Sequence, residues 1–531
     1  MKKNLTALFL MFCAVVGCSA ELQGWLLPTL SWPFTVSRDV PLLHGAASCC
    51  PALAVDGAFH WFGWLCMALL FLAGVYLLLR KAESLRLPPQ QLKRYRRFRS
   101  MKRGYYSLLV LLGVCALASL DQCLVGRRAL VVKYQDSWYF PAFTRAVIPG
   151  SVFGVKGAEG LAEADYRALK RHRGSAGGAQ LVLMPLVPYD ATMDAVPFPR
   201  EELEYRSGVL YEPDGTTRFS GLACRFHSND TMHLRQRFRN GVPDGYTQGW
   251  LPNGREVYSA RYENGRTVEE QYSGPHDKER FLAATPAIGF CRVYYHPAPP
   301  LTDGHLLGTN SQGADILAYL YGGLQVNIKA ALFYLPAIYA IGLTMGMLMG
   351  YLGGRFDLFT QRVIEIVSQL PFLFVVMILS DLVPLELRGM ILIMGLLAMF
   401  GWMQMTYLIR TATMREKTRD YVAAARVMGA GPFYIMRNHI LPNLVSIIVT
   451  LVPFSIAAVI LSLASLDYMG FGLPDSYASW GRLLNDGLAK LSCPWVVSAA
   501  FTALVATLLL VTFIGEAVRE AFDPHRHSYY E

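Results

Sequence analysis

The stretch DYVAAARVMGAGPFYIMRNHILPN (residues 420–443) lies between two of the longest apolar runs of the chain. Its first part, residues 419–428, can form a helix, and the small side chains at 423, 424 and 425 let another backbone approach closely. Gly429 is a suitable stop, because glycine adopts the left-handed conformation that ends many helices. The first half of the stretch therefore predicts a short helix that ends in a bend.

The second half of the stretch predicts another short helix over about 432–439. Proline fits the first turn of a helix, where its missing N–H is not needed, and Pro442 is expected to start the next apolar run. Two short helices with a bend make a poor catalytic site but fit a groove in another protein. We expect this elbow (residues 420–443) to lie flat against a membrane and to contact a partner.

The composition is that of a membrane protein. Of the 531 residues, 53% are hydrophobic and 17% are charged, whereas soluble proteins have about a quarter charged residues. Runs of about twenty apolar residues are candidate membrane spans. They lie at 59–79, 105–124, 330–352, 363–380, 389–409, 440–466 and 495–515.

The net charge of +10 is unevenly distributed. Ten basic residues and one acid, Glu83, lie between Arg80 and Arg103, directly between two candidate spans. A nucleic-acid-binding patch is one interpretation, but the positive-inside rule favours a cytoplasmic loop. Alternation of the spans then predicts that residues 125–329 and 467–494 are external, and that the elbow and the C-terminal tail are cytoplasmic.

The first twenty residues, MKKNLTALFLMFCAVVGCSA, have a basic start, a short apolar core and small residues. This is the pattern of a secretory signal peptide, and VVGC (15–18) also resembles a lipoprotein cleavage box, which makes Cys18 a candidate for lipidation. An uncleaved signal anchor is the alternative, and the sequence leaves these possibilities open. In each case residues 21–58 are expected outside, followed by an extra span at 59–79 and the basic loop at 80–104.

Ten cysteines form no recognisable framework. Four lie in apolar segments, where cysteine acts as a small hydrophobic residue: Cys13, Cys18, Cys66 and Cys115. Five are expected outside, where a disulfide is permitted, although the sequence does not pair them: Cys49, Cys50, Cys224, Cys291 and Cys493. No Cys/His spacing typical of a metal site occurs.

Residues 125–300 are charged, aromatic and rich in turn signals, and we expect an external domain over 125–325. Glycine-containing turn pairs recur within YEPDG (211–215), FRNGVPDG (238–245), WLPNG (250–254) and RYENG (261–265). Asn-Gly and Asp-Gly supply the positive φ values of two-residue hairpin turns, so we expect a β-hairpin insertion at about 202–298. The insertion loosely resembles the MORN-type repeat. It is either a docking surface for a partner or a lipid, or a stable decoration.

Further motifs occur in order along the chain: VVKYQDSWYFPAF (131–143), HLLGTNSQGADILAYLYGG (305–323), GYLGGRFDLFTQRVIEIVSQLP (350–371), SLDYMGFGLP (465–474) with Trp480-Gly481, and FIGEAVREAFDP (513–524). Together with the elbow, which resembles the EAA loop, they resemble the dipeptide and oligopeptide permeases of ABC importers. The first motif resembles that of the Yej-type subunit, a permease for peptide-like compounds such as microcin C. The chain departs from the family at Ala423, where an acid is usual, and at Ala314, where the family has arginine.

The resemblance implies an all-α polytopic membrane protein with the type I importer permease fold. It implies six core transmembrane helices, an extra N-terminal segment and span, and an inserted extracytoplasmic β-rich domain. Five core spans would lie within 326–515, after a first one at 105–124, with the coupling loop at 410–440 and a cytoplasmic tail at 516–531. The membrane would be the bacterial inner membrane.

The resemblance also implies partners. A cytoplasmic ATPase would bind ATP and receive the elbow, a second permease subunit would complete the path, and an extracytoplasmic protein would deliver peptide. The sequence contains no G-x-x-x-x-G-K-[ST] phosphate loop, so we expect no ATP site in this chain. No Ser/His/Asp or metal-binding constellation stands out either, so we expect no catalytic residue, no cofactor and no metal.

Two groups of residues are assigned by the resemblance. The residues expected to couple to the ATPase are Ala423, Ala424, Ala425, Gly429, Pro432, His439, Leu441 and Pro442. The residues of the family signature loop are His305, Gly308, Thr309, Gly313 and Asp315.

Glu365 is the carboxylate that lies well inside a predicted span. Intramembrane acids often contact substrates, so Glu365 is a candidate for the substrate path, where it would meet a peptide amine or a partner residue. The alternative is that Glu365 lies near the cytoplasmic end, about a turn past Arg362, and reaches the membrane interface. Glycines at 342, 346 and 350 follow the small-xxx-small pattern, which favours close helix packing.

Two other classes of protein are alternatives to the permease. An ion-coupled secondary transporter would need an inverted repeat with paired intramembrane charges or broken helices, and the sequence shows neither the repeat nor the charges. A membrane-anchored binding or scaffold protein would use the hairpin insertion as its working part. The ordered motifs favour the permease.

Overall fold

A computed structural model describes residues 2–31, 33–35, 44–46, 58–79, 89–154, 162–171, 179–192, 200–213, 215–228, 231–284, 286, 289–293, 296–302, 304–384 and 389–522. The predictions made for Cys49, Cys50, the basic residues at 80–88 and the tail beyond 522 fall outside the described residues.

The chain divides into two units. The first comprises Met1–Met193, Ala318–Ala489 and Val497–Glu531, and the second comprises Asp194–Leu317 and Lys490–Val496. The first unit is built mainly from helices and the second mainly from strands. The predicted hairpin insertion at about 202–298 lies within the second unit.

The helices follow in chain order: α1 (Lys2–Gln23), α2 (Trp61–Leu79), α3 (Pro89–Ser100), α4 (Lys102–Ala118), α5 (Tyr166–Arg171), α6 (Asp277–Ala283), α7 (Ile316–Leu352), α8 (Gly354–Ser368), α9 (Phe372–Leu382), α10 (Met390–Lys417), α11 (Asp420–Val427), α12 (Pro432–Ile435), α13 (Leu441–Tyr468), α14 (Trp480–Ala489) and α15 (Pro494–Phe522).

Among the described residues, six helical segments are long and apolar enough to cross a membrane: Thr6–Gln23, Trp61–Leu79, Ile316–Leu352, Met390–Lys417, Pro432–Tyr468 and Pro494–Phe522. Two helix pairs, α3 with α4 and α8 with α9, pass the same test together but are bent by 94° and 78°. The prediction of a mainly helical, polytopic membrane protein is confirmed at this level.

The span predicted at 363–380 is not one continuous helix. The chain forms α8 up to Ser368 and restarts as α9 at Phe372, with a 78° bend between them. The break falls at Pro371, which cannot donate an N–H to the helix and which restricts the backbone of the residue before it. An apolar run seen in sequence is therefore two helices in space.

One helix is longer than its apolar run indicated. α7 begins at Ile316 rather than at 330. Gln325, Asn327 and Lys329 interrupt the hydrophobic pattern of its first turns, so a search for apolar runs misses them. Two of these polar residues, Gln325 and Lys329, line a cavity in the first unit.

Glycines bring α7 and α10 into close contact. A Cβ placed on Gly346 would lie 2.8 Å from Cβ of Ile409 and 2.9 Å from the carbonyl oxygen of Thr406. Gly342 and Gly350 meet α10 in the same way. The small-xxx-small pattern is therefore a helix-packing seam, as the sequence predicts.

The N-terminal helix packs on its neighbour. A Cβ on Gly74 of α2 would lie 2.5 Å from Cγ of Met11 and 2.9 Å from the carbonyl oxygen of Ala7, both on α1. Glu21, near the end of α1, is 1% exposed and forms an ion pair with Arg145. Signal cleavage would remove these contacts; the choice between signal and anchor stays a prediction.

Strands form several sheets: β1 (His44–Ala46), β2 (Ala58–His60), β3 (Val131–Tyr134), β4 (Ser137–Tyr139), β5 (Leu181–Leu183), β6 (Arg200–Glu202), β7 (Glu204–Arg206), β8 (Val209–Tyr211), β9 (Gly221–Phe226), β10 (Met232–Arg239), β11 (Val242–Trp250), β12 (Glu256–Glu263), β13 (Arg266–Tyr272) and β14 (Cys291–Val293). The largest, in the second unit, has seven strands in the order β13-β12-β11-β10-β9-β14-β6. Its pairings are antiparallel.

The turns of this sheet follow the predicted hairpin signals. Asn240 and Gly241 join β10 to β11 with φ values of 50° and 81°, and Asn264 and Gly265 join β12 to β13 with φ values of 47° and 83°. Positive φ at both central positions is the geometry of a two-residue hairpin turn. Gly245 lies inside β11, because the chain has already reversed at Asn240 and Gly241.

Candidate functional site

The elbow begins as the sequence predicts. α11 ends at Val427, Gly429 has a φ of +85°, and Pro432 stands in the first turn of α12. No described atom lies within 4 Å of a Cβ built on Gly429. The backbone conformation, rather than a close contact, is therefore what favours glycine at the bend.

The predicted end of the second helix is wrong. α12 passes into a π-helical turn, Met436–Ile440, and then directly into α13, so that Pro432–Tyr468 is one helical run. Pro442 causes no break, because it lies in the first turn of α13 and follows a π turn that already departs from the i→i−4 pattern. The elbow is thus a short helix that meets the start of a long one at Gly429.

One side of the elbow is buried. Val422, Ile435 and Ile440 are 0% exposed and Ala425 is 1% exposed. All four belong to the apolar core that α7, α8, α10 and α13 share. The small side chain at 425 therefore has a packing role, and the elbow is held firmly against the long helices.

Hydrogen bonds tie the elbow to the helices on both of its sides. The hydroxyl of Tyr421 donates to Glu416 of α10 over 2.6 Å and accepts from the amide of Asn443 in α13 over 3.0 Å. Burial and the bond to Glu416 raise the pKa of Tyr421 to about 12, so the hydroxyl keeps its proton at neutral pH. Just before the elbow, Nζ of Lys417 at the end of α10 donates to the carbonyl oxygen of Tyr351 in α7 over 2.5 Å.

An ion pair joins two helices of the same core. The guanidinium of Arg410 in α10 binds the carboxylate of Asp357 in α8 through two bonds of 2.5 Å and 2.6 Å. The two side chains are 20% and 8% exposed. Bidentate pairs fix the relative position of their partners, so a displacement of α10 is passed to α8.

The other side of the elbow is apolar and exposed. Four large side chains form what we name the elbow patch: Val427, Met428, Phe433 and Tyr434, which are 89%, 79%, 78% and 56% exposed. Soluble surfaces seldom place such side chains together without a partner. The patch lies around the Gly429 bend, because the bend directs the end of α11 and the start of α12 away from the core.

The predicted coupling residues divide between the two sides. The exposed ones are Ala423, Ala424, Gly429, Pro432 and Pro442, the half-buried ones are His439 and Leu441, and the buried one is Ala425. The ring of His439 lies 5.7 Å from that of Tyr434 and 6.3 Å from that of Tyr421, which is a packing arrangement. The sequence predicted the bend at Gly429 but not the elbow patch. The large apolar side chains on either side of Gly429 were the signal that could have indicated it.

The family signature loop is a buried structural element. His305 and Thr309 are 0% exposed and Asp315 is 1% exposed. Nδ1 of His305 lies 2.8 Å from Oδ2 of Asp315. A Cβ on Gly308 would lie 2.4 Å from a carbonyl oxygen, and Gly313 has a φ of +88°. The loop therefore orders the chain just before α7 and does not offer these side chains to a ligand.

Glu365 is paired on its own helix. Its carboxylate accepts hydrogen bonds from Arg362 over 2.6 Å and from Gln361 over 3.1 Å, and it is 36% exposed. These contacts fit the alternative in which Glu365 reaches the membrane interface beside Arg362. Its role in the substrate path stays a prediction.

A second candidate site, which sequence reasoning missed, is a polar cavity of about 750 Å³ in the first unit. It lies where α4 ends and α7 begins. Tyr321 and Gln325 of α7 hold these helix ends together through hydrogen bonds of 2.9 Å to the carbonyl oxygens of Leu117 and Ala118. The volume lies within the range of small-molecule sites, about 300–1,000 Å³.

The cavity is lined by charges of both signs: Arg127, Arg128, Arg145, Lys329, Asp121 and Asp190. Arg127 and Arg128 bind the same carboxylate, Glu163, over 2.9 Å and 2.6 Å. The cluster of Arg127, Arg128 and Glu163 therefore carries one net positive charge, and Asp121 and Asp190 belong to the same lining. Oε1 of Gln122, which also lines the cavity, is buried without a hydrogen-bond donor among the described residues.

The signal for this cavity was present in the sequence only as scattered residues. Arg127 and Arg128 follow a predicted span, and Lys329 precedes another, so each has the appearance of an ordinary flanking charge. Only the packing of α4 against α7 brings them to one wall. Within the described residues no group of three or more His, Cys, Asp or Glu side chains is placed to hold a metal ion.

Comparison with known proteins agrees with this architecture. The profile of the family described as binding-protein-dependent transport system inner membrane component matches residues 342–528, which include the elbow. The inner membrane ABC transporter permease protein YejE of Escherichia coli (strain K12) is 28% identical over 441 residues, 83% of this chain and 99% of that protein. The oligopeptide transport system permease protein OppC of Lactococcus lactis subsp. lactis (strain IL1403) is 33% identical over 227 residues, 42% of this chain and 76% of that protein.

A third relative is the peptidoglycan transport system permease protein YejE of Agrobacterium fabrum (strain C58 / ATCC 33970), which is 36% identical over 230 residues. That match covers 43% of this chain and 60% of that protein. With its apolar helices, this chain is a multi-pass inner-membrane protein. It belongs to the family of binding-protein-dependent transport system inner membrane components, as a transmembrane permease subunit of an ABC importer.

Proposed function

We propose that this chain is the permease subunit of an importer of oligopeptides or peptide-like compounds, and that its elbow binds a separate cytoplasmic ATPase. The elbow patch carries the proposal, because it is an exposed apolar surface on a bend that is packed against the long helices. The names of the relatives, which refer to oligopeptide and peptidoglycan transport, support the substrate class.

The mechanism follows from the contacts of the elbow. A permease changes between inward-open and outward-open forms only if something binds those forms differently. Moving a population from 1:99 to 99:1 takes about 5.5 kcal/mol of differential binding. An ATPase that changes shape while it holds the elbow patch would displace α11, and the bonds of Tyr421 to Glu416 and Asn443 would pass that displacement to α10 and α13.

The orientation belongs to the same proposal. With the elbow and the C-terminus in the cytoplasm, the loop after α4 and the start of α7 face the outside. The polar cavity then lies at the outer end of the spans, and the strand-rich second unit is extracytoplasmic. A second permease subunit and an extracytoplasmic peptide-binding protein complete the complex.

Co-purification tests the function. We expect a tagged copy of the chain, extracted in mild detergent, to retain an ATP-hydrolysing subunit and a second multi-pass subunit. The physical reason is that the elbow patch buries its apolar side chains only in such a complex. The measurement is subunit identification by mass spectrometry; recovery of neither partner from membranes that contain the folded chain would contradict the proposal.

The cavity supports a site for the carboxylate end of an incoming peptide. A peptide carries an ammonium at one end and a carboxylate at the other. The guanidiniums of Arg127 and Arg128 suit the carboxylate, and the acceptor on Gln122 suits a donor of the peptide.

We therefore expect Arg127→Gln to raise the KM for uptake of peptides with a free C-terminus about tenfold. A charge-assisted hydrogen bond contributes about 1.5–3 kcal/mol, and the half-exposed position of Arg127 places the effect at the low end of that range. Peptides with an amidated C-terminus should be transported with an unchanged KM. The measurement is the concentration dependence of uptake for both kinds of peptide.

The matched control for this variant is Arg261→Gln. Arg261 is 49% exposed and binds Glu263 over 3.1 Å, whereas Arg127 is 50% exposed and binds Glu163 over 2.9 Å. Arg261 does not line the cavity. Equal shifts in KM for free and amidated peptides in the Arg127 variant would rule out a carboxylate site.

A further inference from the structure

Two cysteines face each other across neighbouring strands of the second unit. Cys224 of β9 and Cys291 of β14 are directly opposite one another in an antiparallel register, followed by Ala223 opposite Arg292. The sequence separates them widely, so only the strand order places them side by side. Directly opposite residues project from the same face of a sheet.

Both thiols are enclosed. Cys224 and Cys291 are each 0% exposed and share one apolar cluster with Phe226. The Sγ of Cys291 donates to the carbonyl oxygen of Cys224 over 3.3 Å. That contact places the thiol of one cysteine at the backbone of the other.

The register is compatible with the Cα spacing of a disulfide. Opposite residues in antiparallel strands have Cα atoms about 4.5–5.5 Å apart, and disulfides join Cα atoms about 4.4–6.8 Å apart. A rotation of each side chain about its Cα–Cβ bond is then the main movement needed. The strands themselves can keep their register.

We propose that Cys224 and Cys291 form a disulfide in the mature protein. This inference rests on the proposed extracytoplasmic position of the second unit, because disulfides persist in oxidising compartments. The reaction is an exchange with the disulfide of a thiol–disulfide oxidoreductase. One thiolate attacks that disulfide and forms a mixed disulfide with the oxidoreductase. The second thiolate then attacks the sulfur of the first cysteine, the S–S bond to the oxidoreductase breaks, and the oxidoreductase leaves as a dithiol that carries the two electrons and two protons.

The bond would fix the side of the seven-stranded sheet that ends in the edge strand β6. β14 lies between β9 and β6, and the loop closed by the bond contains β10, β11, β12 and β13. A cross-link that closes a long loop restricts the unfolded chain more than one that closes a short loop. β14 has three residues. A covalent bond would therefore contribute a large share of the attachment of this short strand to the sheet.

Mass spectrometry of the full-length chain tests the proposal. Membranes are dissolved in a denaturant that contains a small alkylating reagent, so that buried free thiols are blocked as well as exposed ones. The protein is then digested without reduction, and the peptides are analysed before and after reduction. We expect a linked pair that contains Cys224 and Cys291 and that separates on reduction. Cys493→Ser is the control and should leave the linked pair unchanged, since Cys493 lies outside that apolar cluster.

A second measurement separates this proposal from the proposed orientation. Tyr246→Cys introduces a thiol at a position that is 71% exposed in the same sheet, and a membrane-impermeant thiol reagent reports its side of the membrane. If the new thiol is labelled from outside while Cys224 and Cys291 are fully alkylated, the disulfide is wrong and the orientation stands. If the new thiol is labelled only from inside and both cysteines are alkylated, both are wrong.

Discussion

Phe433→Asp is expected to abolish retention of the ATPase by the permease while the chain itself stays folded and in the membrane. Phe433 is 78% exposed on the elbow patch, so its side chain contributes little to the fold of the isolated chain. In the complex, the substitution removes an aromatic contact and buries a carboxylate. Aromatic residues at the centre of interfaces contribute about 2 kcal/mol or more, which is roughly thirtyfold in affinity, and an unpaired buried charge adds to this loss.

The measurements for Phe433→Asp are co-purification of the ATPase and ATP-dependent peptide uptake, and both should fall to background. Tyr246→Asp is the matched control, because Tyr246 is an aromatic residue of similar exposure, 71%, on strand β11 of the second unit. It should retain the ATPase. Normal uptake by the Phe433 variant would contradict the role assigned to the elbow patch.

Gly346→Val is expected to have the largest effect on the fold. A Cβ at this position would lie 2.8 Å from Cβ of Ile409 and 2.9 Å from the carbonyl oxygen of Thr406, and the valine methyl groups need further space. α7 and α10 would have to separate, which disturbs the seam and the core around it. Overpacking costs about 1–3 kcal/mol and sometimes more, which lowers the ratio of folded to unfolded chain about fivefold or more, so we expect the folded yield to fall.

The matched control for Gly346→Val is Gly395→Val on α10. No described atom lies within 4 Å of a Cβ built on Gly395, so this substitution has the same effect on helix propensity without a clash. The measurement is the monodisperse fraction of detergent-extracted protein in size-exclusion chromatography. Equal yields of the two variants would show that the seam is looser than the contacts at Gly346 indicate.

Local chemistry made parts of the elbow predictable. Gly429 was recognised because a helix that ends in the left-handed conformation favours glycine, and Pro432 because the first turn of a helix does not need its N–H. The same kind of argument wrongly predicted that the second helix ends before Pro442, which lies inside α13. The effect of Pro442 depends on whether the preceding turn is α-helical or π-helical, and the turn before it, Met436–Ile440, is π-helical.

Apolar runs predicted the approximate positions of the membrane spans but not the exact bounds of their helices. The run at 363–380 was apolar enough for one span, yet Pro371 divides it into α8 and α9. The start of α7 was hidden by Gln325 and Lys329, which are polar because they line the cavity rather than face lipid. In both cases one or two residues, Pro371 in the first and Gln325 with Lys329 in the second, made the helix bounds differ from those of the apolar run.

The sequence by itself determined the class of protein, the approximate spans, the hairpin turns and the bend, because hydrophobicity, glycine conformation and proline geometry act over a few neighbouring residues. Only the tertiary structure decided which side of the elbow is exposed, which charges meet at the cavity wall, and that Cys224 lies opposite Cys291. Those relations join residues that are distant in the chain, and they depend on how helices and strands pack. Packing is a property of the whole core, so no local pattern records it.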